Sequence, residues 1–530
     1  MAWWRQAKFG LFIHWGIYAV PAGKYGDNSS YGEWIMNSAK IPVATYQEFA
    51  RHFNPVKYDP AAWARLAKQA GMKYIVITSK HHDGFALFPS AASKWNVVDA
   101  TPYKKDLLAP LVTAAKAEGL KIGFYYSQSQ DWNNPGGAKS GSPEGGGWDE
   151  AHQGSYDTYL KDVAVPQVRE LLTRYPIDIL WWDTPMFMDH KRAEPFAALA
   201  KLRPGLMMNN RLGGGFKGDT ATPEQFVPVT GYKGDWETCM TMNDHWGYNA
   251  LDQHWKSSSD LIRKLADICA KGGNFLLNIG PTAEGEFPPA CIERLQEIGR
   301  WLKLNGDSIY GTTAGPFPYL SWGVATRKSD QLYLHVFEWP KDGKLRVPLN
   351  NVPKAAALLA SPDQKLSVSR DKDRIVIEVP ATPPDAVDTV ITLEIAGAPV
   401  VRPLPTAGAT ASASASAADN GPANAIDGSG EKRWRAPAEA KSAWLELDLT
   451  APAAISAFGI DEPDVWPRMN QKFTLEASVS DQWIKVAAGK TNGHGLKQVI
   501  TPVTAQKFRL TMECDKGSPG VAELQLYRAE

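Results

Sequence analysis

Short apolar runs alternate with amphipathic stretches over residues 1–309. The runs with the character of buried strands lie at 8–14, 74–78, 121–126, 177–182, 207–210 and 274–279. The amphipathic stretches between them include 60–69, 105–118 and 258–270. Apolar strands joined by helical crossovers predict a parallel sheet with helices outside it. This length favours a (β/α)8-like TIM barrel, and no G-x-G-x-x-G segment follows an early strand to favour a dinucleotide fold.

The periodicity changes near Tyr310. Short alternating segments between 310 and 398 predict an antiparallel β-domain. The stretch 399–416, rich in Ala, Pro, Ser and Thr, predicts a linker or the beginning of the next domain's first strand. In the remainder of 399–530, segments of alternating apolar and polar residues are separated by turns rich in Gly, Pro and Asn. This pattern predicts a separate C-terminal β-sandwich.

Charge and cysteine content narrow the function classes. The chain has 57 Lys and Arg against 57 Asp and Glu, so it has no net field to attract nucleic acid or an anionic membrane surface. No apolar run approaches the ~18 residues that predict a membrane span. The four cysteines have no C-x-x-C spacing and predict free buried thiols. The 20 tryptophans are typical of carbohydrate-binding proteins and of large cores alike.

Polar and aromatic side chains follow one predicted strand after another. They are His14-Trp15-Gly16, His81-His82-Asp83-Gly84, Tyr125-Tyr126-Ser127, Trp181-Trp182-Asp183 and Asn209-Asn210-Arg211, with Asp235-Trp236-Glu237 just before Thr238. Because the reacting groups of an α/β-barrel sit at the C-terminal ends of its strands, these endings predict one shared site. Several have a plainer explanation as well. His14 could be a hydrogen-bonded core histidine, and His81-His82 could be one solvent-facing and one structural histidine. Asp183 could be a helix N-cap, Glu237 a loop carboxylate, and Arg211 the partner of an ordinary ion pair.

Asp183 is the strongest single candidate, because an apolar strand delivers a carboxylate to the barrel mouth. Cleavage of an acetal with retention needs a nucleophilic carboxylate and a second carboxyl group that protonates the leaving oxygen, about 5–5.5 Å away. Glu237 follows far enough along the chain to face Asp183 across the mouth. The acid must keep its proton near neutral pH, which burial or a nearby anion can ensure.

Several of these segments together resemble a known family. The motifs at 8–16, 32–34, 81–85, 181–183, 236–237 and 272–281 are similar, in the same order, to those of the α-L-fucosidases of glycoside hydrolase family 29. The resemblance covers about residues 3–315. It implies a (β/α)8-like barrel with a C-terminal β-domain, retention of anomeric configuration, no metal, and release of terminal α-L-fucose from oligosaccharides or glycoconjugates.

The resemblance also implies roles for particular residues. Asp183 becomes the nucleophile that forms a covalent fucosyl-enzyme. Glu237 becomes the acid/base, with Glu33 as the alternative. The fucose-binding residues carried over by motif are His14, Glu33, Trp34, His81, His82, Tyr126, Trp181 and Arg211. Tyr126 is preferred to Tyr125 on strand alternation alone.

The C-terminal region resembles the discoidin-like, galactose-binding jelly-roll fold of carbohydrate-binding modules. The matching segments lie at 424–428, 433–434, 444–449 and 521–524. Such modules often hold a structural Ca²⁺ with carboxylates and carbonyls, and here Asp427 and Glu523 are the expected ligands. The alternative is that both carboxylates make turn hydrogen bonds, and that the module only braces the barrel.

Two other functions compete with hydrolysis of a fucoside. A metal-dependent TIM-barrel hydrolase could use the cluster of His14, His81, His82, Asp83 and Asp183, although no His-x-His follows the first strand. A lectin-like protein could bind fucose without turnover. The resemblance favours the enzyme and implies no cofactor for catalysis, a fucosylated glycan as partner, and a secreted or periplasmic location, while a cytoplasmic location stays open.

Overall fold

The computed structural model describes residues 1–138, 147–463, 470–491, 493 and 495–528. The chain divides into two compact units. Unit 1 comprises Met1–Gln225, Glu237–Ile262 and Asn274–Gly306, and unit 2 comprises Phe226–Trp236, Arg263–Gly273 and Asp307–Glu530. No helix among the described residues has the length and apolar character needed to cross a membrane.

Unit 1 is built on parallel strands with helices between them. The strands are β1 (Phe9–Ile13), β2 (Tyr74–Lys80), β3 (Lys121–Ser127), β4 (Ile179–Asp183), β5 (Met207–Met208), β6 (Glu237–Thr241) and β7 (Asn274–Ile279). The helices of the chain are α1 (Ala2–Ala7), α2 (Ile35–Ser38), α3 (Val43–Glu48), α4 (Pro60–Gln69), α5 (Val97–Ala100), α6 (Leu108–Ala117), α7 (Tyr156–Tyr159), α8 (Val165–Arg174), α9 (His190–Leu199), α10 (Ser258–Ala270) and α11 (Pro289–Asn305).

The strands of unit 1 form one parallel sheet. Its order within the described residues is β5-β4-β3-β2-β1-β7-β6. Every residue of β1, β2 and β7 is buried, as expected for a parallel sheet covered on both faces. The carboxyl ends of the strands therefore share one edge, and this edge receives Asp183 from β4 and Ser127 from β3 side by side.

An irregular segment, residues 220–225, lies between β5 and β6. On one side the Asn210 N–H donates to the Thr220 carbonyl at 2.9 Å. On the other side the Gln225 N–H donates to the Cys239 carbonyl at 2.9 Å, and the Cys239 N–H donates to the Pro223 carbonyl at 3.1 Å. Proline has no N–H for a ladder, which explains why this segment is not a regular strand. Among the described residues, the parallel sheet thus has seven strands where eight were predicted, and the 220–225 segment makes only isolated bridges, from Thr220 to Asn209 and from Glu224 to Cys239.

The predicted antiparallel β-region follows residue 310 in unit 2. Its strands are β8 (Thr313–Ala314), β9 (Gly323–Lys328), β10 (Gln331–Val336), β11 (Lys344–Val347), β12 (Pro353–Leu358), β13 (Ser361–Leu366), β14 (Val368–Asp371), β15 (Arg374–Glu378) and β16 (Thr389–Ile395). They form a sheet of order β13-β12-β16-β10-β9-β8 and a smaller one of order β11-β15-β14. Both sheets contribute alternate residues to one buried apolar core, including Leu332, Leu334, Ile375 and Ile377.

The C-terminal part of unit 2 is also antiparallel. Its strands are β17 (Thr410–Ala413), β18 (Trp434–Arg435), β19 (Ser442–Asp461), β20 (Gln471–Val479), β21 (Gln482–Lys490), β22 (Leu496–Cys514), β23 (Gly520–Val521) and β24 (Glu523–Arg528). The larger sheet has the order β17-β19-β22-β20-β21, with β24 paired to β19, and β18 pairs with β23. Its core is separate from that of the preceding sheets and surrounds the fully buried Trp434.

Candidate active site

Asp183 lies at the carboxyl end of β4, where neighbouring groups bind both of its carboxylate oxygens. Oδ2 accepts a hydrogen bond from the Tyr125 hydroxyl at 2.7 Å, and Oδ1 accepts one from Arg211 Nη1 at 2.9 Å. The Thr184 N–H donates to Oδ1 at 2.8 Å, and His82 Nε2 lies 3.6 Å from Oδ2. This network fixes the direction in which the carboxylate faces.

The same neighbours keep Asp183 ionised. Burial alone would raise the pKa of Asp183, but the charge of Arg211, with smaller contributions from the other neighbours, holds that pKa below its ordinary value. Burial lowers the pKa of His82 to about 3, so this imidazole is neutral at neutral pH. An oriented carboxylate that is ionised at neutral pH is suited to nucleophilic attack and unsuited to proton donation.

The residue after Asp183 has a strained backbone. Thr184 has a φ of 48°, in the left-handed region that β-branched residues rarely adopt. The Ser129 hydroxyl donates to the Thr184 carbonyl oxygen. This conformation is compatible with the hydrogen bond from the Thr184 N–H to the Asp183 carboxylate.

A second carboxylate, Glu224, shares Arg211 with Asp183. Arg211 Nη1 lies 2.9 Å from Asp183 Oδ1 and 2.9 Å from Glu224 Oε2. Because both oxygens lie 2.9 Å from the same nitrogen, Asp183 Oδ1 and Glu224 Oε2 are at most about 5.8 Å apart. This upper limit is compatible with the ~5–5.5 Å separation of the carboxyl groups in retaining glycosidases. Arg211 Nε donates to Thr222 Oγ1 at 2.9 Å, which ties the guanidinium to the 220–225 segment.

Three neutral histidines lie beside this pair of carboxylates. His14 Nδ1 lies 2.7 Å from Asn278 Oδ1, and the His14 ring lies 5.5 Å from that of His81. Burial lowers the pKa of His14 to about 4 and that of His81 well below its ordinary value. A neutral imidazole has one donor and one acceptor nitrogen, so these rings together with His82 are suited to binding hydroxyl groups.

Two tryptophans contribute aromatic surface at different depths. Trp34 is 37% exposed, and its ring meets the His82 ring edge-on at 5.0 Å. Trp181 is buried and stacks on Tyr125 at 5.7 Å, while the Arg211 guanidinium lies 4.9 Å from its ring centre. The side chains around Asp183 thus combine charged, hydrogen-bonding and apolar surface, which is the combination a deoxy-sugar requires.

Comparisons with known proteins identify the family. A family model described as Alpha-L-fucosidase matches residues 1–307, and one described as F5/8 type C domain matches residues 408–524. The chain belongs to the alpha-L-fucosidase family. The predicted family and the predicted discoidin-like C-terminal domain are therefore both confirmed.

Solved structures support this assignment. Alpha-L-fucosidase isoenzyme 1 from Paenibacillus thiaminolyticus is 38% identical with a TM-score of 0.68, over 74% of this chain and 98% of that one. A GH29 alpha-L-fucosidase from Bacteroides thetaiotaomicron, solved as a trapped covalent intermediate with 2-fluoro-fucosyl fluoride, is 30% identical with a TM-score of 0.67, over 75% and 96%. The alpha-L-fucosidase of Vibrio sp. strain EJY3 is 26% identical with a TM-score of 0.74, over 99% and 97%. The predicted enzyme class, a glycoside hydrolase, is confirmed.

The structure corrects one substrate-binding expectation for this fucosidase. The Tyr126 hydroxyl donates to Gln167 Oε1 at 2.8 Å and to the Ala164 carbonyl at 3.3 Å, on the helical side of the sheet. Tyr125, its neighbour on β3, is the residue that points to Asp183. Successive side chains of a strand face opposite sides, so only one of the two tyrosines can reach the site.

Glu33 lies in a tight corner of the same unit. Its Oε2 accepts a hydrogen bond from the Gly247 N–H at 3.0 Å. A β-carbon on Gly247 would lie 2.9 Å from the Tyr18 ring, so glycine allows this close approach. Burial raises the pKa of Glu33, and the negative charge of Glu224 adds to this effect.

Glu237 lies at the opposite end of the strands from Asp183. It is the first residue of β6 and pairs with Asn274, the first residue of β7, whereas Asp183 is the last residue of β4. Its carboxyl group accepts hydrogen bonds from the Tyr74 hydroxyl and, at 3.4 Å, from Trp181 Nε1. Burial raises the pKa of Glu237 to about 7. The structure therefore brings Glu224, and not Glu237, to the Asp183 carboxylate.

The histidines and Asp183 do not form a metal-binding group. Among the described residues, one group of three or more His, Cys, Asp or Glu side chains could share one metal ion. It consists of Asp244, Asp252 and His254. Asp83, a member of the cluster considered from the sequence, instead accepts a hydrogen bond from the Tyr46 hydroxyl at 2.9 Å.

The two expected calcium ligands meet in the C-terminal part of unit 2. Glu523 Oε2 accepts a hydrogen bond from the Gly428 N–H at 3.2 Å, and Asp427 Oδ1 accepts one from the Ser429 N–H at 3.0 Å. Burial, and then the neighbouring charge of Asp427, raise the pKa of Glu523 to about 8. Both carboxylates thus share one region of the fold.

Sequence reasoning missed Tyr125 and Glu224. The inward orientation of Tyr125 follows from the parallel register of two neighbouring strands. In that register Tyr125 pairs with Trp181, and Ser127 pairs with Asp183. The signal for Glu224 was weaker. It lies in Thr222-Pro223-Glu224, where proline interrupts any strand pattern and the sequence alone indicates a loop.

Proposed function

We propose that Asp183 is the nucleophile and Glu224 the acid/base of this retaining exo-α-L-fucosidase. The observation that carries the proposal is the pair of hydrogen bonds from one Arg211 nitrogen to both carboxylates. It keeps Asp183 Oδ1 and Glu224 Oε2 no more than about 5.8 Å apart, an upper limit that is compatible with a retaining enzyme. Glu237, which the family motif suggested for the acid/base, is bonded to Tyr74 at the other end of the strands.

The reaction proceeds in two displacements. In the first, the Asp183 carboxylate forms a bond to the anomeric carbon while the bond to the leaving oxygen breaks and Glu224 gives that oxygen its proton. In the second, Glu224 takes a proton from water, and the water oxygen replaces the Asp183 ester on the anomeric carbon. Arg211 and Tyr125 stabilise the returning carboxylate charge through the hydrogen bonds described above.

The fucose ring is held by the neutral groups around the two carboxylates. His14, His81 and His82 are suited to donate to and accept from its hydroxyls. The buried Glu33, whose pKa is raised by burial, adds a carboxyl group on the side of Gly247. Trp34 and Trp181 supply apolar surface for the C–H face and the methyl group.

Variants analysed for product stereochemistry test these roles. Asp183→Ala should lose almost all turnover of an aryl α-L-fucoside, and azide should restore it with formation of the β-fucosyl azide, because azide then attacks directly. Glu224→Ala should lose about 10²–10⁴-fold on substrates with poor leaving groups. Azide should restore it with formation of the α-fucosyl azide, through the covalent intermediate. The anomer is read by NMR.

Glu237→Gln and Glu33→Gln are the matched controls. Neither should yield a fucosyl azide, because neither residue is assigned proton transfer. Formation of α-fucosyl azide by the Glu237 or Glu33 variant, together with its absence from the Glu224 variant, would move the acid/base role away from Glu224. Fucose binding without turnover by the wild-type chain would favour a lectin instead.

The calcium expectation stays a proposal, supported by the donor set. Glu523 is a buried carboxylate beside a second acid, Asp427, and a carboxylate in that position is neutralised either by a proton or by a cation. Asp427 and Glu523, with backbone carbonyls, would hold the ion. Its contribution is structural, since it would bind in unit 2, outside the unit that contains Asp183.

The remaining expectations are also proposals. We infer three domains, at 1–309, 310–398 and 399–530, supported by the separate apolar cores of the two antiparallel parts. We infer a secreted or periplasmic location, supported by the presence of a glycan-degrading domain and a discoidin-like domain in one chain.

A further inference from the structure

Unit 2 contains an arginine-lined cleft that the fucosidase reaction does not use. The cleft encloses about 150 Å³, room for about one sugar residue, and opens to solvent. Its basic lining residues are Arg346, Arg374, Arg402 and Arg528, against one carboxylate, Asp373. Phe317 and Tyr319 add apolar walls. In a chain of zero net charge, such a concentration of guanidinium groups is a local feature.

Two of these arginines form no ion pair with the carboxylates of the described residues, although Arg528 Nη1 donates to the Pro403 carbonyl oxygen. Arg346 pairs with Asp342 at 2.7 Å, and Arg374 lies 3.8 Å from Asp373. Within the described part of the chain, no carboxylate lies within 4.0 Å of Arg402 or Arg528. Burial and the positive charge of Arg402 together lower the pKa of Arg528. Two like charges held close together without a counter-charge favour the binding of an anion.

The positive lining extends into an adjoining cleft. That cleft adds Lys271 and Lys497, and it shares four lining residues with the first: Phe317, Pro318, Tyr319 and Leu404. Lys271 pairs with Asp267 at 2.8 Å, whereas the Lys497 amine lies 4.9 Å from the centre of the Tyr319 ring. Cationic side chains thus line both clefts, together with aromatic and proline residues.

We propose that this cleft binds an acidic glycan, with the carboxylate of a uronic acid residue placed between Arg402 and Arg528. A guanidinium matches a planar carboxylate with two parallel hydrogen bonds, and aromatic walls suit the C–H face of a sugar ring. The site is distinct from the fucosidase pocket, because all of its lining residues belong to unit 2 and Asp183 belongs to unit 1. It would let the enzyme bind charged polymers while unit 1 removes fucose.

The test is calorimetric titration of the full chain with tetragalacturonate, with maltotetraose as the neutral control. Wild-type protein should bind the acidic tetramer, more weakly at high salt, and should not bind the neutral one. Arg402→Ala should weaken binding about tenfold, and Arg402→Glu should abolish it. Arg300→Ala, a matched loss of charge at a residue with a 68% exposed side chain, should bind like wild type. All variants should keep wild-type turnover of an aryl fucoside, which separates this inference from the proposed function.

Three outcomes would overturn the proposal. The first is no binding of tetragalacturonate by the wild type. The second is equal binding by wild type and Arg402→Glu, which would place the anion elsewhere. The third is binding of an oligothymidylate as tightly as the uronate, with the same dependence on Arg402, which would assign the cleft to polyanions in general.

Discussion

The charge on Asp183 depends on hydrogen bonds that differ in kind. Arg211 contributes a charge as well as a donor, and it also binds Glu224. Tyr125 contributes only a hydroxyl donor, and burial raises its pKa well above the ordinary value, so it keeps its proton at every pH of interest. Tyr125 is therefore the position at which the charge of Asp183 can be altered without disturbing the second carboxylate.

Tyr125→Phe should move the acid limb of the pH profile. Loss of a donor to a carboxylate costs about 1.5 kcal/mol of stabilisation of the charged form, equivalent to about one pKa unit. Because the charged form is the one that loses stability, the pKa of Asp183 rises. The acid limb of kcat/KM should shift to higher pH by about one unit, measured on an aryl fucoside.

Tyr126→Phe is the matched control. Its hydroxyl bonds to Gln167 on the helical side of the sheet, so its removal should change stability without shifting the profile. An equal shift in both variants, or a shift to lower pH in Tyr125→Phe, would show that Tyr125 does not set the charge of Asp183.

Glu237 should act on stability rather than on proton transfer. Its folded pKa of about 7 lies above the ordinary 4.5, so between these values the unfolded chain loses a proton that the folded chain keeps. Stability from this group is therefore fully present below about pH 4.5 and falls as the pH rises through about 7. The shift corresponds to about 3 kcal/mol.

Glu237→Gln removes this titration. Its Tm, relative to wild type, should rise steadily from pH 4.5 to pH 7 and then level off, as measured by scanning calorimetry. Glu194→Gln, at an exposed helical position of the same unit, should keep a constant difference from wild type. A relative Tm for Glu237→Gln that does not depend on pH would contradict the assignment.

The 220–225 segment is the element on which the site depends most. It takes the place between β5 and β6, and it carries both Glu224 and Thr222, which binds Arg211 through its hydroxyl and its carbonyl. The position of the acid/base thus rests on side-chain hydrogen bonds as well as on the strand ladder. Segments held in this way are more sensitive to the loss of one polar atom.

Thr222→Val should therefore impair catalysis. It replaces the hydroxyl that accepts from Arg211 Nε by a methyl group of similar size, and it leaves a buried donor without a partner. We expect kcat to fall about tenfold with little change in KM. Thr220→Val is the control, since the Thr220 hydroxyl is buried and has no hydrogen-bond partner among the described residues. An equal loss of kcat in both variants would show that the Thr222 hydroxyl has no specific role in positioning Arg211 for catalysis.

Elements of regular periodicity could be predicted from the sequence. The predicted helices 60–69 and 258–270 agree with α4 and α10 in both bounds, and α4 begins where Asp59 caps the Ala62 N–H ahead of Pro60. The site was less predictable because it depends on register and on irregular backbone. Which of Tyr125 and Tyr126 faces inward follows from pairing with β4, and the place of Glu224 follows from tertiary bonds of a proline-containing segment.

At the scale of the whole molecule, the chain divides its functions between the two units. Asp183, Glu224 and Arg211 belong to unit 1, and the proposed calcium ligands and the arginine-lined cleft belong to unit 2. Within unit 1, the parallel sheet positions Asp183, and the hydrogen bonds of the 220–225 segment position Glu224. Conditions that act on unit 2 should therefore change stability without changing the chemistry at Asp183.

Calcium provides that test. A ligand that binds only the folded state, present at a free concentration of about 100 times its Kd, adds about 2.7 kcal/mol to the free energy of unfolding. For a unit of this size, this corresponds to a rise in Tm of about 5–10 °C. We expect added Ca²⁺ to raise the calorimetric transition of unit 2, and EDTA to reverse it, with turnover of an aryl fucoside unchanged. Glu523→Gln should abolish the response, whereas Glu513→Gln, at an exposed strand position, should retain it. A transition that does not respond to Ca²⁺, or that responds equally in both variants, would leave Asp427 and Glu523 as acceptors of hydrogen bonds from the Ser429 and Gly428 N–H groups, without a metal.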